Sequence, residues 1–107
     1  MDHSEQRMEL LSEIKERGLE SLSYVLFDEY SSQPYAFHLF YDNKKYKINT
    51  RDERSYVIGN TVEFDSFLDA KQYFIDKLER VVAHSMILFA IIGNFSQNER
   101  LYLLFYL

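Results

Sequence analysis

Val62-Glu63-Phe64-Asp65-Ser66-Phe67-Leu68-Asp69-Ala70-Lys71-Gln72-Tyr73-Phe74-Ile75-Asp76-Lys77-Leu78 is the stretch whose reading decides the fold. It passes from an extended segment, through a capped helix start, into an amphipathic helix. Ser66 followed by Asp69 has the form of a capping box, with Asp in place of the usual Glu or Gln. Phe67, Ala70, Phe74, Leu78, Val81 and Val82 then recur at spacings of three and four, which places them on one helical face. Asp76 and Arg80 add an i,i+4 ion pair of the favourable orientation. An apolar stripe this wide needs a surface to cover, and the residues before it offer one candidate, a β-sheet.

Working back from the stripe, Thr61 to Phe64 reads as a short fourth strand and Gly59-Asn60 as a turn after Tyr56-Val57-Ile58. Arg51-Asp52-Glu53-Arg54 is a charged cluster, either a loop or a single helical turn. Lys45 to Thr50 is a strand in which Tyr46 and Ile48 alternate with Lys45, Lys47 and Asn49. Asp42-Asn43-Lys44 is a turn, and Tyr35 to Tyr41 is a second strand. Asp28 to Pro34 is a polar break holding the only proline, read as the connection of a hairpin. Ser21 to Tyr30 is the first strand, apolar in part on both faces. The order predicts an antiparallel meander with one buried and one wet face. Ser4 to Arg17 reads as a helix with Met8, Leu11 and Ile14 sharing a face, Leu10 close by, and a Glu13–Arg17 pair. Gly18 stands where a C′ glycine stops a helix.

Beyond the stripe, Val81 to Ile92 is nearly all apolar, residues 93–100 are mostly polar, and Leu101 to Leu107 is apolar again. A membrane-spanning helix takes about 20 apolar residues, and neither run reaches that length. The two runs read as a buried helix end and a buried strand, with a dimer interface or membrane contact as the alternatives. The fold class expected is α+β: an N-terminal helix, an antiparallel three- to four-stranded meander, a long helix packed on one face and an apolar C-terminal strand or helix. Residues 1–107 are expected to form one domain.

Composition narrows the function classes. The formal net charge of −5 argues against nucleic acid as a partner, since that affinity rests on Lys and Arg meeting phosphates. It favours a cationic protein, whose encounter the acidity would accelerate. The absence of cysteine excludes disulfides, thiolate catalysis and cysteine-ligated zinc. The polar, acidic start Met1-Asp2-His3-Ser4-Glu5 is unlike a signal peptide and points to a cytoplasmic protein. Nine Tyr and nine Phe suit a pleated, half-buried sheet, and an exposed subset of the tyrosines would suit a binding face.

No motif for chemistry emerges. His3, His38 and His84 lack partners at metal-ligand spacing, so each reads as structural, and no metal, cofactor or catalytic residue is expected. Three glycines leave no phosphate-cradling loop. Asp28, Glu29, Asp52, Glu53, Glu63 and Asp65 could converge at loop ends as an acid–base pocket, or they form a solvated acidic rim. Asp28, Glu29, Tyr30, Tyr35, Asp52 and Glu53 together have the make-up of a partner-binding surface, tyrosines giving contact area and carboxylates steering the encounter. The plain alternative is an ordinary loop.

Several segments carry a family resemblance: Leu22-Ser23-Tyr24-Val25-Leu26-Phe27-Asp28 after an amphipathic helix, Tyr35-Ala36-Phe37-His38-Leu39-Phe40-Tyr41-Asp42-Asn43, Lys45-Tyr46-Lys47-Ile48, Arg51 to Arg54, and Val62 to Phe67 before Ala70, Tyr73 and Phe74. Over roughly residues 8–82 the chain resembles the small α+β immunity proteins of bacterial polymorphic toxin systems. The apolar chain after Val82 departs from the polar end usual in such proteins. The resemblance implies a non-enzymatic protein, encoded beside a secreted toxin, that protects the producing cell by binding the toxic domain. It transfers no functional residue. The alternative from another class is an assembly module that forms a homodimer or touches a membrane through its C-terminal apolar segments.

Overall fold

A computed structural model of the chain describes residues 3–91, with side chains up to His84. The elements are α1 (Ser4–Glu16), β1 (Tyr24–Leu26), β2 (Phe37–Asp42), β3 (Lys45–Arg51), β4 (Val57–Phe64) and α2 (Phe67–Ile91). This is the α+β order that the sequence predicts. The Ser66 hydroxyl accepts the Asp69 N–H at 3.1 Å, so the cap at the head of α2 forms as its spacing implied.

The stripe of α2 packs onto one face of the sheet. Ala70, Phe74 and Leu78 are fully buried against Leu39, Ile48, Phe37 and Tyr46, with Phe67, Val81 and Val82 packed around them. Ile75, which the sequence pattern left off the stripe, is buried as well. It lies one turn on from Lys71, whose ammonium meets Glu9 at 3.5 Å and Glu13 at 3.3 Å on α1. The buried face of α2 is therefore wide enough to meet the sheet and α1 together. Burial pulls the Lys71 ammonium down, but the hydrogen bonds and charges of Glu13 and Glu9 outweigh it and leave the group above the ordinary lysine value. Arg17 bridges Glu13 on α1 to Glu79 on α2 and extends the row of ion pairs.

On α1 the buried residues are Leu10 and Ile14, while Met8 is 65% exposed. The face expected to hold Met8 is corrected by about a quarter turn, with Ile14 common to both faces. The face in use runs His3, Gln6, Leu10 and Ile14, because both the ring cluster at Tyr46 and the stripe of α2 lie on that side. The helix ends in a Schellman motif: Leu19 N–H donates to Ile14 C=O at 2.9 Å and Gly18 N–H to Lys15 C=O at 3.1 Å. Gly18 has φ +68°, as that position requires. Leu19 then drops into the core beside Ile14.

The sheet is four-stranded in the order β1-β2-β3-β4. β2–β3 and β3–β4 are antiparallel, but β1 runs parallel to β2, pairing Tyr24 with Phe37 and Leu26 with Leu39. The hairpin expected between the first two strands is thus a crossover. Asp28 to Pro34 carries the chain back along the sheet before it enters β2 from the same end as β1. The first strand is also shorter than the Ser21–Tyr30 reading, since a turn from Leu22 N–H to Leu19 C=O precedes it and Phe27 leaves at φ +55°.

Gly59-Asn60 is a second correction. It is a bulge inside one continuous strand: Ile48 pairs with Val62 but Thr50 with Ile58. Two extra residues on β4 fit between those pairs, and Gly59 supplies φ +69° for the distortion. An even insertion keeps the in–out alternation of the strand on both sides of it. The C-terminal strand expected over 101–107, and any pairing of copies through it, lie outside the described residues.

Asn43 and Lys44 close the β2–β3 hairpin with φ +54° and +64°, the signature of a type I′ turn, whose second position favours Gly. A left-handed Lys costs roughly 1–2 kcal/mol, partly offset by the greater unfolded-state freedom of Gly. Lys44→Gly is therefore expected to raise stability by about 0.5–1 kcal/mol, read as a higher urea midpoint at unchanged m-value.

Candidate functional site

The parallel course of β1 decides where the candidate binding residues lie. The crossover starts at Phe27, whose N–H donates to Leu39 C=O at 2.7 Å, and ends at Tyr35, whose N–H donates to Asp52 C=O at 3.2 Å. Because β1 and β2 point the same way, these are opposite ends of the strands. Asp28, Glu29 and Tyr30 follow the C-terminal end of β1. Tyr35, Asp52 and Glu53 meet at the N-terminal end of β2. The structure therefore joins Tyr35 to the β3–β4 loop and sets the Asp28–Tyr30 turn at the other end of the crossover.

Each group has its own internal order. Asp28 Oδ1 accepts the Tyr30 N–H at 3.2 Å, an Asx turn that leaves Tyr30 90% exposed. Asp52 Oδ1 accepts the N–H groups of Arg54 and Tyr56, both at 2.9 Å. Its backbone C=O accepts from Ser55 and its N–H donates to Tyr56. Asp52 is thus the organiser of its loop, with one carboxylate oxygen engaged by the loop's own backbone. Arg51 braces that loop from beneath, with Nε donating to Asn49 Oδ1 at 2.9 Å and its backbone N–H to Ala36 C=O at 3.0 Å. Glu29 and Glu53 are exposed, whereas Tyr35 is half-buried.

Sequence reading missed two exposed residues at the β3–β4 loop, Tyr56 (67% exposed) and Val57. Alternation alone could not find them, because whether β4 is an edge depends on the strand order. It missed a cleft of about 410 Å³ as well, lined by Arg7, Tyr24, Val25, Leu26, Phe27, Asp28, Ser31 and Gln33. That hollow lies along β1, between α1 and the crossover, and residues so far apart in the chain give no local signal.

Two of the histidines, His3 and His38, hold structure. His3 stacks on Phe27 with ring centroids 4.8 Å apart and interplanar angle 8°, and its Nδ1 meets Gln6 Oε1 at 2.9 Å. Gln6 in turn bonds the Tyr46 hydroxyl. His38 is 2% exposed, with Nε2 donating to Gln33 C=O at 3.0 Å across the crossover. His84 is exposed near the last described side chains. Among the described residues no group of three His, Asp or Glu is placed to hold a metal ion.

A family model described as Immunity protein 59 matches residues 3–90. No curated protein and no solved structure matches the chain.

Burial pushes the His38 imidazole below its ordinary value of 6.5, and the positive charge of Arg51 adds to this. The hydrogen bond to Gln33 and the charge of Asp28 oppose the shift without cancelling it. The folded chain then takes up this proton less readily than the unfolded chain. Stability is accordingly full above about pH 6.5 and falls as the pH drops from there toward the lower folded value. Replacing His38 by Gln, which keeps an N–H donor, is expected to flatten that limb in urea unfolding series taken between pH 7 and 5. An unchanged slope would show that other groups set it.

Proposed function

The chain belongs to the Immunity protein 59 family, and from that membership we infer that it is a non-enzymatic immunity protein that binds and neutralises a cognate bacterial toxin domain in the cytoplasm of the producing cell. The match over residues 3–90 carries this reading, since it spans both helices and every strand. The surface chemistry supports it. An acidic chain of net charge −5 has its electrostatic reach matched to a cationic partner. Tyr30 stands almost wholly exposed beside Asp28 and Glu29, and Tyr56 stands beside Asp52 and Glu53. Aromatic anchors ringed by charge are the make-up of interface hot spots. Tyr35 and Asp52 serve this surface by fixing the loop that carries Glu53 and Tyr56.

Co-expression with the toxin domain encoded by the neighbouring gene tests the inference. The chain should restore growth, and Tyr30→Ala should weaken the purified complex by about tenfold or more, the usual scale for an aromatic anchor. Undiminished killing in the presence of the folded chain would overturn the reading.

The course of α2 favours a second reading, an assembly module. Val82 is the last described side chain packed on the core, Ala83 and His84 are exposed, and the helix continues to Ile91. The sequence from Met86 onward is apolar apart from residues 93–100, so a homodimer could cover it. No helix among the described residues is long and apolar enough to cross a membrane. Light scattering separates the cases: under this reading the full chain is a dimer and the chain lacking residues 94–107 a monomer. A monomer in both forms removes it.

A further inference from the structure

The edge of β1 carries more than its three residues suggest. In a parallel ladder alternate residues turn their N–H and C=O toward one neighbour. Phe37 N–H donates to Ser23 C=O and Phe27 N–H to Leu39 C=O, so the paired register gives both polar groups of Val25 to β2 as well. The N–H and C=O of Tyr24 and Leu26 therefore point away from β2. Among the described residues no strand lies on that side, because β1 ends the sheet. The cleft of about 410 Å³ lies there instead, a volume in the range of sites that hold ligands. Its rim carries Arg7 from α1 and Asp28 from the crossover. Arg7 is exposed and pairs with no carboxylate among the described residues. The opposite edge, β4, lacks this arrangement, since the bulge at Gly59 breaks its regular spacing.

The geometry points to β1 as the docking edge for an extended segment of the toxin polypeptide, which adds to the sheet beside Tyr24 and Leu26 and sets a carboxylate against Arg7. This rests on the immunity reading above and says how the partner is held. Recognition by strand addition uses backbone groups for affinity and flanking side chains for specificity. With only two residues offering outward backbone groups, the segment is an anchor within a larger interface. Arg7 selects an acidic side chain, and Asp28 sets the sign at the other rim.

Amide hydrogen exchange by NMR, on the full chain alone and mixed with the purified toxin domain from the neighbouring gene, tests the assignment. In the free chain Tyr24 and Leu26 amides should exchange fast while Val25 and Phe27 are protected. In the complex Tyr24 and Leu26 should slow by about a hundredfold or more, and Arg7→Glu should weaken binding about tenfold at unchanged thermal stability. A complex that leaves both amides fast overturns the docking edge and spares the immunity reading. Failure to form any complex overturns both. Slow exchange at Tyr24 and Leu26 in the free chain would show the edge already covered by the protein itself, which also overturns the proposal.

Discussion

The contact between the apolar stripe of α2 and the inner face of β2 and β3 is the constraint from which the rest follows. Phe74, Ala70 and Leu78 meet Leu39 and Ile48 with essentially no solvent contact. Each such large side chain contributes about 1.5–3 kcal/mol on burial, against marginal net stabilities of about 5–15 kcal/mol for a whole domain. Losing this one surface would therefore remove the fold. Once it forms, the inner face is fixed as Tyr24, Leu26, Phe37, Leu39, Tyr46 and Ile48, and the alternation of each strand sends His38, Lys47, Asn49 and Arg51 to the outer face. α1 then fills the remaining side of α2 with Leu10 and Ile14.

The polar contacts refine this arrangement and contribute little to its depth. The ion pairs that link Glu9, Lys71, Glu13, Arg17 and Glu79 run along the seam between the helices and are mostly solvent-exposed. Such pairs are typically worth no more than about 1 kcal/mol each. Their service is to link the two helices, with the Lys71 ammonium of α2 held between Glu9 and Glu13 of α1. Lys45 to Asp65 and Lys47 to Asp42 and Glu63 do the same for the rim and outer face of the sheet. His38, hidden under Gln33, ties the crossover to β2. With one face covered by helices and the other laced by its own side chains, the surfaces left for a partner are the loops and the strand edges.

Much of the fold was legible in the residues. The Ser66 cap, the Gly18 stop, the Asn43-Lys44 turn and the alternation of Tyr46 and Ile48 are local signals, each determined by neighbours in the chain. The family resemblance, too, rested on short segments that lie within the matched residues 3–90. The candidate site was legible only as residue types. Exposed tyrosines beside carboxylates can be named from sequence, and Tyr30 is indeed exposed, but Tyr35 sits half-buried and Asp52 holds its own loop together.

Sequence by itself determined the elements, the α+β class and the acidic, cysteine-free surface, because helix periodicity, capping and charge are properties of residues near one another. Tertiary structure alone decided that β1 runs parallel to β2, that Leu10 rather than Met8 faces the core, and that Arg7 and Asp28 flank one cleft. A polar connection such as Asp28 to Pro34 can turn back as a hairpin or cross over, and its own residues fit both. The choice is made outside the connection, in the ladder where Phe37 N–H donates to Ser23 C=O and Phe27 N–H to Leu39 C=O, because backbone pairing between strands depends on groups brought together only by the fold.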